Sequence, residues 1–492
     1  MSVSKYPLET ITTNRRDSFT SLNESDTSLI YTKYDRPISV EEKALVRKID
    51  WCVLPLICLV NFLQFLDKSA INYANALGLQ VDTGLVGDQY STIVSLFYLG
   101  YLSYQLPNNY LLQHVKIGRY IGVLLVAWGS VLAATASANN FSHLAALRFL
   151  LGFTEGGVYP CLILLVSTLY RRSEQTSRLG AFWLCNGLAL CAGGFISYGI
   201  GKIPYILGLH PWRWCMIILG GVTILVGFIC FFFLIDDPRS LKWRHNAEEQ
   251  ILVEERIRDN AVVRTNKVNF AQIKEALLEP RLWCFCFISF LINIQNGALT
   301  SYSTTITQGF GYTNLDAILL QTPTGIVDVT YIILAAYVSQ RTGQAIYVGC
   351  FCLACTALGL LLLEFIPIDK YKLVGFYICW GYAAAYVMLL SAATTNVSGF
   401  TKKIFYNGLI MIFYTAGNFT GPYMMVSSQA PNYIGGMMGY VGADVLAITL
   451  FLIARWQMAR VNKRRLSEPP AECINTEEDM TDKQDDNFIY RL

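Results

Sequence analysis

The segment RFLLGFTEGGVYP, from Arg148 to Pro160, places an arginine and a glutamate in a stretch that is otherwise apolar enough to cross a membrane. A charge at the centre of a bilayer costs about 2.5–3.5 kcal/mol on the scale derived from translocon insertion. Arg148 and Glu155 lie two helical turns apart, about 10.5 Å along the axis, so they point the same way without meeting. Each needs a partner on another helix or a ligand, which leaves two interpretations: a lock between helices, or a site for a substrate and a proton.

The composition extends this pattern to the whole chain. Of 492 residues, 53% are hydrophobic and 15% are charged, whereas a soluble protein has about 25% charged residues. The charges collect before residue 50, within 236–280 and after residue 455, and the remainder is typical of a membrane protein with many spans. The net charge of +3 is spread over the loops, which argues against a nucleic-acid partner.

The sequence has no motif for covalent or nucleotide chemistry. It lacks a phosphate-binding glycine loop with its lysine, an HExxH pair and a GxSxG nucleophile. Of its 14 cysteines, all but Cys473 lie in apolar stretches, which argues against a disulfide framework and against a zinc site. We therefore expect no enzyme activity, no cofactor and no metal, and we expect energy to come from an ion gradient.

Hydropathy windows of about 19 residues predict an all-α membrane protein with twelve transmembrane helices. The predicted spans are 51–75, 88–112, 119–138, 143–169, 178–200, 212–235, 281–305, 315–338, 345–366, 371–393, 404–428 and 434–458. They form two pseudo-symmetric six-helix bundles, 51–235 and 281–458, which a charged cytoplasmic loop, 236–280, connects. Residues 1–50 are expected to be a disordered cytoplasmic tail and residues 459–492 a second cytoplasmic tail.

Basic residues predict the orientation. Lysine and arginine gather in the loops after even-numbered spans and after the last span, which places both termini in the cytoplasm. The loops VKIGRY (115–120) and SQRTGQ (339–344) share a basic residue, a spacer and a glycine, which supports a duplicated architecture. Duplicated halves with a site at their interface are typical of secondary transporters.

A polar face runs along span one. Five residues at spacings of three and four form it: Asn61, Gln64, Lys68, Asn72 and Asn75. Asp67 lies at the edge of this face, at a depth compatible with Arg148. Hydrogen bonds between helices, at about 0.6 kcal/mol each, account for some polar residues in a membrane. Because five polar groups share one face, we favour a water-filled cavity.

The second half carries polar residues toward the same predicted interface. Pro323 in span eight frees backbone carbonyls, which a membrane protein tolerates only against protein or a cavity. The candidate binding residues of this half are Asn293, Asn296, Thr300, Gln321 and Asn418, and its buried acids are Asp328 and Asp444. The many tyrosines and phenylalanines are interpreted as packing residues.

Several segments together carry a family resemblance. They are FLDKSAINYA (65–74), GDQYS (87–91), FYLGYLSYQLPNNYLLQ (97–113), the opening segment with LYRRSEQ (169–175), WRW (212–214), NGALTSYSTTI (296–306), QTPTGI (321–326), NVSGFTKK (396–403) and GNFTGPY (417–423). In this order and spacing they resemble the major facilitator superfamily, and within it the fungal anion:cation symporter family that includes allantoate permease. One loop departs from the superfamily pattern: QHVKIGRY keeps Gly118 and Arg119 but lacks the usual aspartate on which the acid-based latch of this half depends.

The resemblance implies a proton-coupled importer of a small organic anion, such as allantoate or ureidosuccinate, in the plasma membrane. Nicotinate, pantothenate, biotin, cysteine and small peptides are the alternatives within the family. The RxxxGxxEG pattern of the opening segment is also similar to span four of vesicular glutamate and sialic-acid transporters. That similarity implies anion transport by Arg148 and proton sensing by Glu155.

These considerations assign roles to individual residues. Substrate binding is assigned to Arg148, Lys68, Asn72, Asn293, Asn296, Thr300, Gln321 and Asn418, and proton coupling to Glu155, Asp67 and Asp328. The expected partners are the anion, protons and the lipid bilayer, and the protein is expected to be a monomer. Two other functions stay open: a nutrient sensor that signals through its tails, and a uniporter in which the buried acids are only structural.

Overall fold

A computed structural model describes residues 40–112, 114–170, 172–206, 208–235, 253, 269–430, 433–467 and 480–492. Apart from one isolated bridge between Ile206 and Leu209, these residues form helices and turns and no β-strand. Residues 1–39 of the predicted N-terminal tail lie outside the described residues, as do most of the predicted loop 236–280 and residues 468–479.

Twelve long helical elements follow one another along the described residues. They are α1 (Val40–Ala76), α2 (Gln89–Leu111), α3 (Ile117–Ala134), α4 (Phe141–Glu155 with Val158–Leu169), α5 (Arg172–Gly201), α6 (Pro211–Phe233), α7 (Pro280–Gly309), α8 (Thr322–Thr342), α9 (Ala345–Phe365), α10 (Lys372–Ile378 with Tyr382–Thr395), α11 (Phe400–Thr420) and α12 (Ile434–Ser467). Short helices occupy three of the connections: Leu79–Asp82, Phe270–Leu277 and Asn314–Leu319.

The first and last helices, α1 and α12, are longer than their apolar segments. Helix α1 begins at Val40, so residues 40–50 are helical and do not belong to a disordered tail. In this part Leu45 and Ile49 are buried while Lys43 and Arg47 are exposed, so an amphipathic face packs against protein beyond the apolar stretch. At the other end of the chain, α12 continues past residue 458 to residue 467, which shortens the predicted second tail.

The helices support a multi-pass membrane protein. Ten helices of the described chain are long and apolar enough to cross a membrane, and α2 and α11 are not among them. Both of these helices carry amides and hydroxyls along their length, which lowers their mean hydropathy. The total of twelve spans and the cytoplasmic position of the termini stay predictions.

The packing repeats with a shift of six helices. In the first half α1 packs against α5, α2 against α4 and α3 against α6. In the second half α7 packs against α11, α8 against α10 and α9 against α12. The pairs α5–α8 and α2–α11 join the halves and also correspond under the same shift. The predicted boundaries of the two halves stay predictions.

Glycines allow the tightest helix contacts. A Cβ atom on Gly152 of α4 would lie 1.8 Å from the carbonyl oxygen of Phe97 on α2. Across the halves, a Cβ atom on Gly325 of α8 would lie 2.3 Å from the carbonyl oxygen of Gly187 on α5. Only a residue without a Cβ fits at such distances, which is how small residues let helices approach closely in membranes.

Hydrogen bonds close one end of the interface between the halves. We call the end that holds residues 40–50 and 460–467 the terminal end, and the opposite end the distal end. Asn72, near the end of α1, donates to Ser303 Oγ at 2.8 Å and accepts from Thr304 Oγ1 at 2.7 Å. Three more bonds are Tyr90 OH to Ser301 O, Asn75 Nδ2 to Thr305 Oγ1 and Ser95 Oγ to Phe419 O. These five hydrogen bonds between the halves lie toward the distal end.

We expect Gly152→Ala to destabilise the protein, because the added Cβ atom forces α2 and α4 apart. Overpacking of this kind typically costs about 1–3 kcal/mol. The measurement is the unfolding temperature of the purified protein in detergent. Gly221→Ala is the control, since a Cβ atom there meets nothing within 4 Å and alanine favours a helix over glycine. An unchanged unfolding temperature for Gly152→Ala would contradict the packing described above.

Candidate functional site

Glu155 lies at a break in helix α4. The first piece of the helix ends at Glu155, and the second begins at Val158 after the pair Gly156–Gly157. The side chain of Gln105 on α2 donates to the carbonyl oxygen of Gly156 at 3.2 Å, which satisfies a group that the break leaves free. The sequence EGGVYP therefore interrupts the helix beside its buried carboxylate.

Three charged residues from the sequence prediction meet inside the first half. Asp67 and Glu155 have no exposed surface and Arg148 is 2% exposed, and each interacts electrostatically with the other two. Thr223 on α6 donates to Asp67 Oδ2 at 3.1 Å. Among the described residues, Asp67 Oδ1 and Arg148 Nε and Nη2 have no hydrogen-bond partner, and Gln64 of α1 is the hydrogen-bonding neighbour of Glu155. The charges are thus close enough to influence one another, yet they keep polar atoms available to a proton or a ligand.

Lys68 lies on the neighbouring position of α1 and faces the second half. Its ammonium group is 5.8 Å from the ring centroid of Phe97 and 5.6 Å from that of Tyr98. It interacts electrostatically with Glu155 and with Tyr414 of α11. Lys68 is half-buried and forms no ion pair with a carboxylate of the described chain. A cation held by aromatic rings and left without a counter-ion is suited to bind an anion.

Tyrosines surround this lysine, although the sequence alone predicts them to be packing residues. Tyr414 interacts electrostatically with a group that both halves contribute: Tyr98, Tyr101, Tyr159, Tyr382 and Tyr386. The rings of Tyr386 and Tyr414 lie 5.3 Å apart with a tilt of 41°. Because phenol groups combine an apolar face with a polar tip, this cluster can hold a small polar molecule. No spacing rule collects these residues, since they come from four helices, α2, α4, α10 and α11.

An amide cluster lies on the second-half side. Asn296 of α7 donates to Asn418 Oδ1 of α11 at 2.9 Å, and Asn418 donates to Asn293 Oδ1 at 3.3 Å. Tyr382 of α10 donates to Asn296 Oδ1 at 3.2 Å, and Asn296 is the least buried of the three amides. Thr300, one turn along α7, donates to the carbonyl oxygen of Asn296 at 2.6 Å. The structure therefore brings four of the candidate binding residues of this half together.

Two candidate binding residues lie away from this cluster. Asn72 bonds to α7 at the distal closure. Gln321 precedes α8 and donates to Thr307 Oγ1 at 3.2 Å and to the carbonyl oxygen of Ala317 at 3.0 Å. Both side chains join helix ends in the conformation described here.

The remaining buried acids lie in the second half. Asp328 of α8 is 4% exposed, and its Oδ1 has no hydrogen-bond partner among the described residues. It lies near Tyr382, with which it interacts electrostatically. Asp444 of α12 accepts a hydrogen bond from Gln295 Nε2 at 2.8 Å, which joins α7 to α12. Asp328 thus borders the tyrosine and amide clusters, whereas Asp444 fastens two helices.

A separate charge cluster fastens the distal end of the first half. Arg213 donates to Asp82 Oδ2 through Nε at 3.0 Å and through Nη2 at 2.9 Å, and Trp212 Nε1 donates to the same oxygen at 2.9 Å. Burial alone would raise the pKa of Asp82, but the hydrogen bonds and charge of Arg213 and the bond from Trp212 hold it below its usual value. The WRW segment therefore has a structural role outside the site.

Sequence comparisons place this geometry among known proteins. A sequence model of the Major Facilitator Superfamily matches residues 57–422. The chain is 31% identical to allantoate permease of Saccharomyces cerevisiae over 476 residues, which cover 92% of this chain and 87% of the permease. It is 30% identical to an uncharacterized transporter of Schizosaccharomyces pombe, with 96% of each chain covered. A thiamine pathway transporter of S. cerevisiae is 28% identical, with 91% of this chain and 86% of that transporter covered.

Solved structures with low sequence identity share the fold. A bacterial homologue of the human lysosomal transporter Spinster, in an inward-facing and unoccupied conformation, gives a TM-score of 0.63 at 14% identity. That match covers 83% of this chain and 97% of the homologue. A D-xylose–proton symporter gives a TM-score of 0.59 at 13% identity and covers 82% of this chain and 96% of the symporter.

We expect Thr223→Val to destabilise the protein, because it removes the hydrogen bond to the buried carboxylate of Asp67. Leaving a buried charged group without this donor costs about 1–3 kcal/mol. Thr330→Val makes the same chemical change at an exposed position, where the hydroxyl bonds only to its own helix. The unfolding temperature in detergent should fall for Thr223→Val alone. Equal effects of the two substitutions would show that Thr223 does not support Asp67.

Proposed function

The chain belongs to the Major Facilitator Superfamily, and we propose that it imports a small organic anion together with protons. The anion is a carboxylate of the allantoate or ureidosuccinate type. The protein works as a monomer in the plasma membrane, with both termini in the cytoplasm. Its relation to allantoate permease and the likeness of its fold to a proton symporter support this proposal.

The observation that carries the proposal is the environment of Lys68. This cation is half-buried next to two aromatic rings, forms no direct ion pair with a carboxylate of the described chain, and faces the amide and tyrosine clusters. A substrate carboxylate can bind the ammonium group while Asn296 or Tyr414 binds the ureido or amide end. Arg148 is buried closer to the closed distal end, where Tyr90 is among its neighbours. We therefore assign the first contact with the anion to Lys68 and the support of Asp67 and Glu155 to Arg148.

Glu155 and Lys68 together offer a route to proton coupling. In the absence of substrate, the positive charge of Lys68 stabilises ionised Glu155. A substrate anion at Lys68 neutralises that charge, so Glu155 then takes up a proton more readily. Asp67 exchanges protons with the same cluster, and Asp328 is the matching acid of the second half. Binding of the anion and binding of the proton thus favour each other.

Alternating access follows from the arrangement of the two halves. The hydrogen bonds of Asn72, Asn75, Tyr90 and Ser95 with the second half lie toward the distal end, which in the proposed orientation faces the outside. The structure then corresponds to an inward-facing state, in keeping with the inward-facing Spinster homologue. Import requires the bonds of Asn72 with α7 to break and the terminal end to close in turn.

A vitamin or amino-acid-like carboxylate is the second candidate substrate. The similarity to the thiamine pathway transporter favours it, because the name of that relative refers to a vitamin pathway. The match covers nearly the same share of this chain as the match to allantoate permease. Lysine, tyrosines and amides bind either type of carboxylate, so the substrate has to be identified by transport. A substrate panel therefore includes allantoate, ureidosuccinate, nicotinate and pantothenate.

We expect cells that express the protein to accumulate one of these labelled carboxylates, and a protonophore to abolish the accumulation. With Glu155→Gln, exchange of labelled for unlabelled substrate should persist while accumulation is lost, because the proton-binding group is gone. Glu174→Gln, near the terminal end of α5 and away from the site, is the control. Uptake that does not depend on the proton gradient would indicate a uniporter. Full accumulation by Glu155→Gln would show that Glu155 has no role in proton coupling.

We expect Lys68→Gln to raise the substrate concentration for half-maximal uptake by about tenfold or more. A charge-assisted hydrogen bond contributes about 1.5–3 kcal/mol, which corresponds to factors of this size. Lys202→Gln removes the same charge at an exposed position between α5 and α6 and should leave uptake unchanged. The measurement is initial uptake rate against substrate concentration at equal protein level. Equal half-saturation values for the two variants would exclude Lys68 as the anion-binding residue.

A further inference from the structure

The last residues of the sequence pack against the second half. Residues 480–492 lie across the terminal ends of α7, α11 and α12 and the loop between α10 and α11. Thr481 and Asp482 have no exposed surface and Tyr490 is 8% exposed, although the sequence predicts a solvated tail. A segment this deeply packed has defined contacts rather than a random arrangement.

Asp482 fits between two cations. Its carboxylate accepts from Arg281 Nη2 at 2.7 Å, from Lys402 Nζ at 2.8 Å and from Tyr490 OH at 2.8 Å. Burial alone would raise the pKa of Asp482, but the charges of Arg281 and Lys402 and the hydrogen bonds from both lower it. Breaking a buried pair by removing one partner is strongly destabilising. Asp482 is therefore the charged anchor of the segment.

Two asparagines bind the backbone of the segment. Asn462 of α12 donates to the carbonyl oxygen of Tyr490 at 2.8 Å and accepts from its N–H at 2.9 Å. Asn396, beyond α10, donates to the carbonyl oxygen of Arg491 at 2.8 Å and accepts from its N–H at 2.7 Å. A carboxamide that offers a donor and an acceptor to one residue imitates a neighbouring β-strand. Hydrogen bonds to the backbone of a segment, here from Asn462 and Asn396, are a feature of peptide-binding sites.

Two arginines make further contacts with the segment. Arg465 donates to the carbonyl oxygens of Phe488 at 2.7 Å and Asp482 at 2.8 Å. The ring of Tyr490 lies 4.6 Å from the guanidinium carbon of Arg281 and 5.4 Å from that of Arg465. The aromatic side chain is thus held between two cations, while its backbone is held by Asn462.

The two halves fasten their terminal ends differently. In the first half, Arg178 of α5 binds Asp50 of α1 directly, at 2.9 and 3.2 Å. Six helices further on, Lys402 of α11 binds Glu279, which immediately precedes α7, and the same lysine also binds Asp482. The described hydrogen bonds that leave the segment reach only the second half, so the segment adds a third component to that half without tying it to the first.

We propose that the terminal end of the second half is a peptide-binding site, that residues 480–492 of this chain are its ligand, and that transport requires the site to be filled. The segment joins the ends of α7, α11 and α12, so these helices move as one unit when the halves rock. With the site empty, Arg281 and Lys402 keep their shared partner Glu279 but lose Asp482, and the connection that the segment makes from α7 and α11 to α12 is lost. The requirement for transport rests on the proposed function, whereas the binding of the segment does not.

The binding is tested on the full-length protein with Asp482→Asn, and Asp486→Asn is the matched control because that carboxylate is exposed and forms no described bond. Hydrogen–deuterium exchange reports on the amides of Tyr490 and Arg491. We expect these amides to exchange at least about tenfold faster in Asp482→Asn than in the wild type or the control. Unchanged protection in Asp482→Asn would overturn the role of the aspartate as anchor.

A labelled synthetic peptide of residues 480–492 tests the site itself. It should bind full-length Asp482→Asn, whose own segment has left the site, and bind the wild type at least about tenfold more weakly, because the site is occupied. A peptide with Asp482→Asn should not bind, and one with Asp486→Asn should bind normally. Equal binding of all peptides, or equal binding to both proteins, would overturn the proposed site.

Transport of labelled allantoate, or of whichever carboxylate the wild type accumulates, completes the test. At equal amounts of folded protein, Asp482→Asn should lower the uptake rate by about threefold or more, because a conformational step limits turnover, and the wild-type peptide should restore it in inside-out vesicles. If hydrogen–deuterium exchange shows that the segment is released while uptake is unchanged or faster, transport does not require the site to be filled. If the wild type moves no substrate, the proposed function fails while the exchange and peptide results still decide the binding site.

Discussion

The burial of charge inside a membrane-spanning helix is the constraint on which the rest of the structure depends. Asp67, Arg148 and Glu155 are almost completely buried, and no described ion pair neutralises any of them outright. Helices α1, α4 and α6 have to hold these groups near one another, and the break after Glu155 places its carboxylate beside Lys68. Buried charges are a poor way to hold helices together, because their desolvation costs much free energy. They suit a site whose charges change partners during the transport cycle.

Contacts within each half differ in kind from contacts between the halves. Glycines such as Gly152 let helices of one half touch backbone to backbone, so each half keeps its shape. Between the halves, the bonds of Asn72 with α7 are few and can be exchanged. Stable halves with an exchangeable contact are what alternating access requires. The segment 480–492 strengthens the second half at the terminal end, where no hydrogen bond between the halves is described.

Hydropathy and charge spacing predict the helical class and the buried charges, because each of these depends on residues close together in the sequence. The family is predicted by the resemblance of the sequence motifs in their order along the chain. The extension of α1 to Val40 could have been read from its amphipathic pattern, and the break at Gly156–Gly157 from the glycine pair. Tyr414 and the tyrosines around it come from four helices, so only the fold brings them together. The buried segment 480–492 was missed for a similar reason: its acidic composition is typical of a solvated tail, and its counter-ions Arg281 and Lys402 are distant in sequence.

The central claim is that a substrate anion at Lys68 and a proton at Glu155 cross the membrane together. The most direct test uses purified protein in liposomes that contain a pH-sensitive dye, without an initial pH gradient. Adding the transported carboxylate outside should acidify the interior with the wild type, and Glu155→Gln should carry labelled substrate in exchange without acidification. Entry of labelled substrate through the wild type with no change in internal pH would contradict the account.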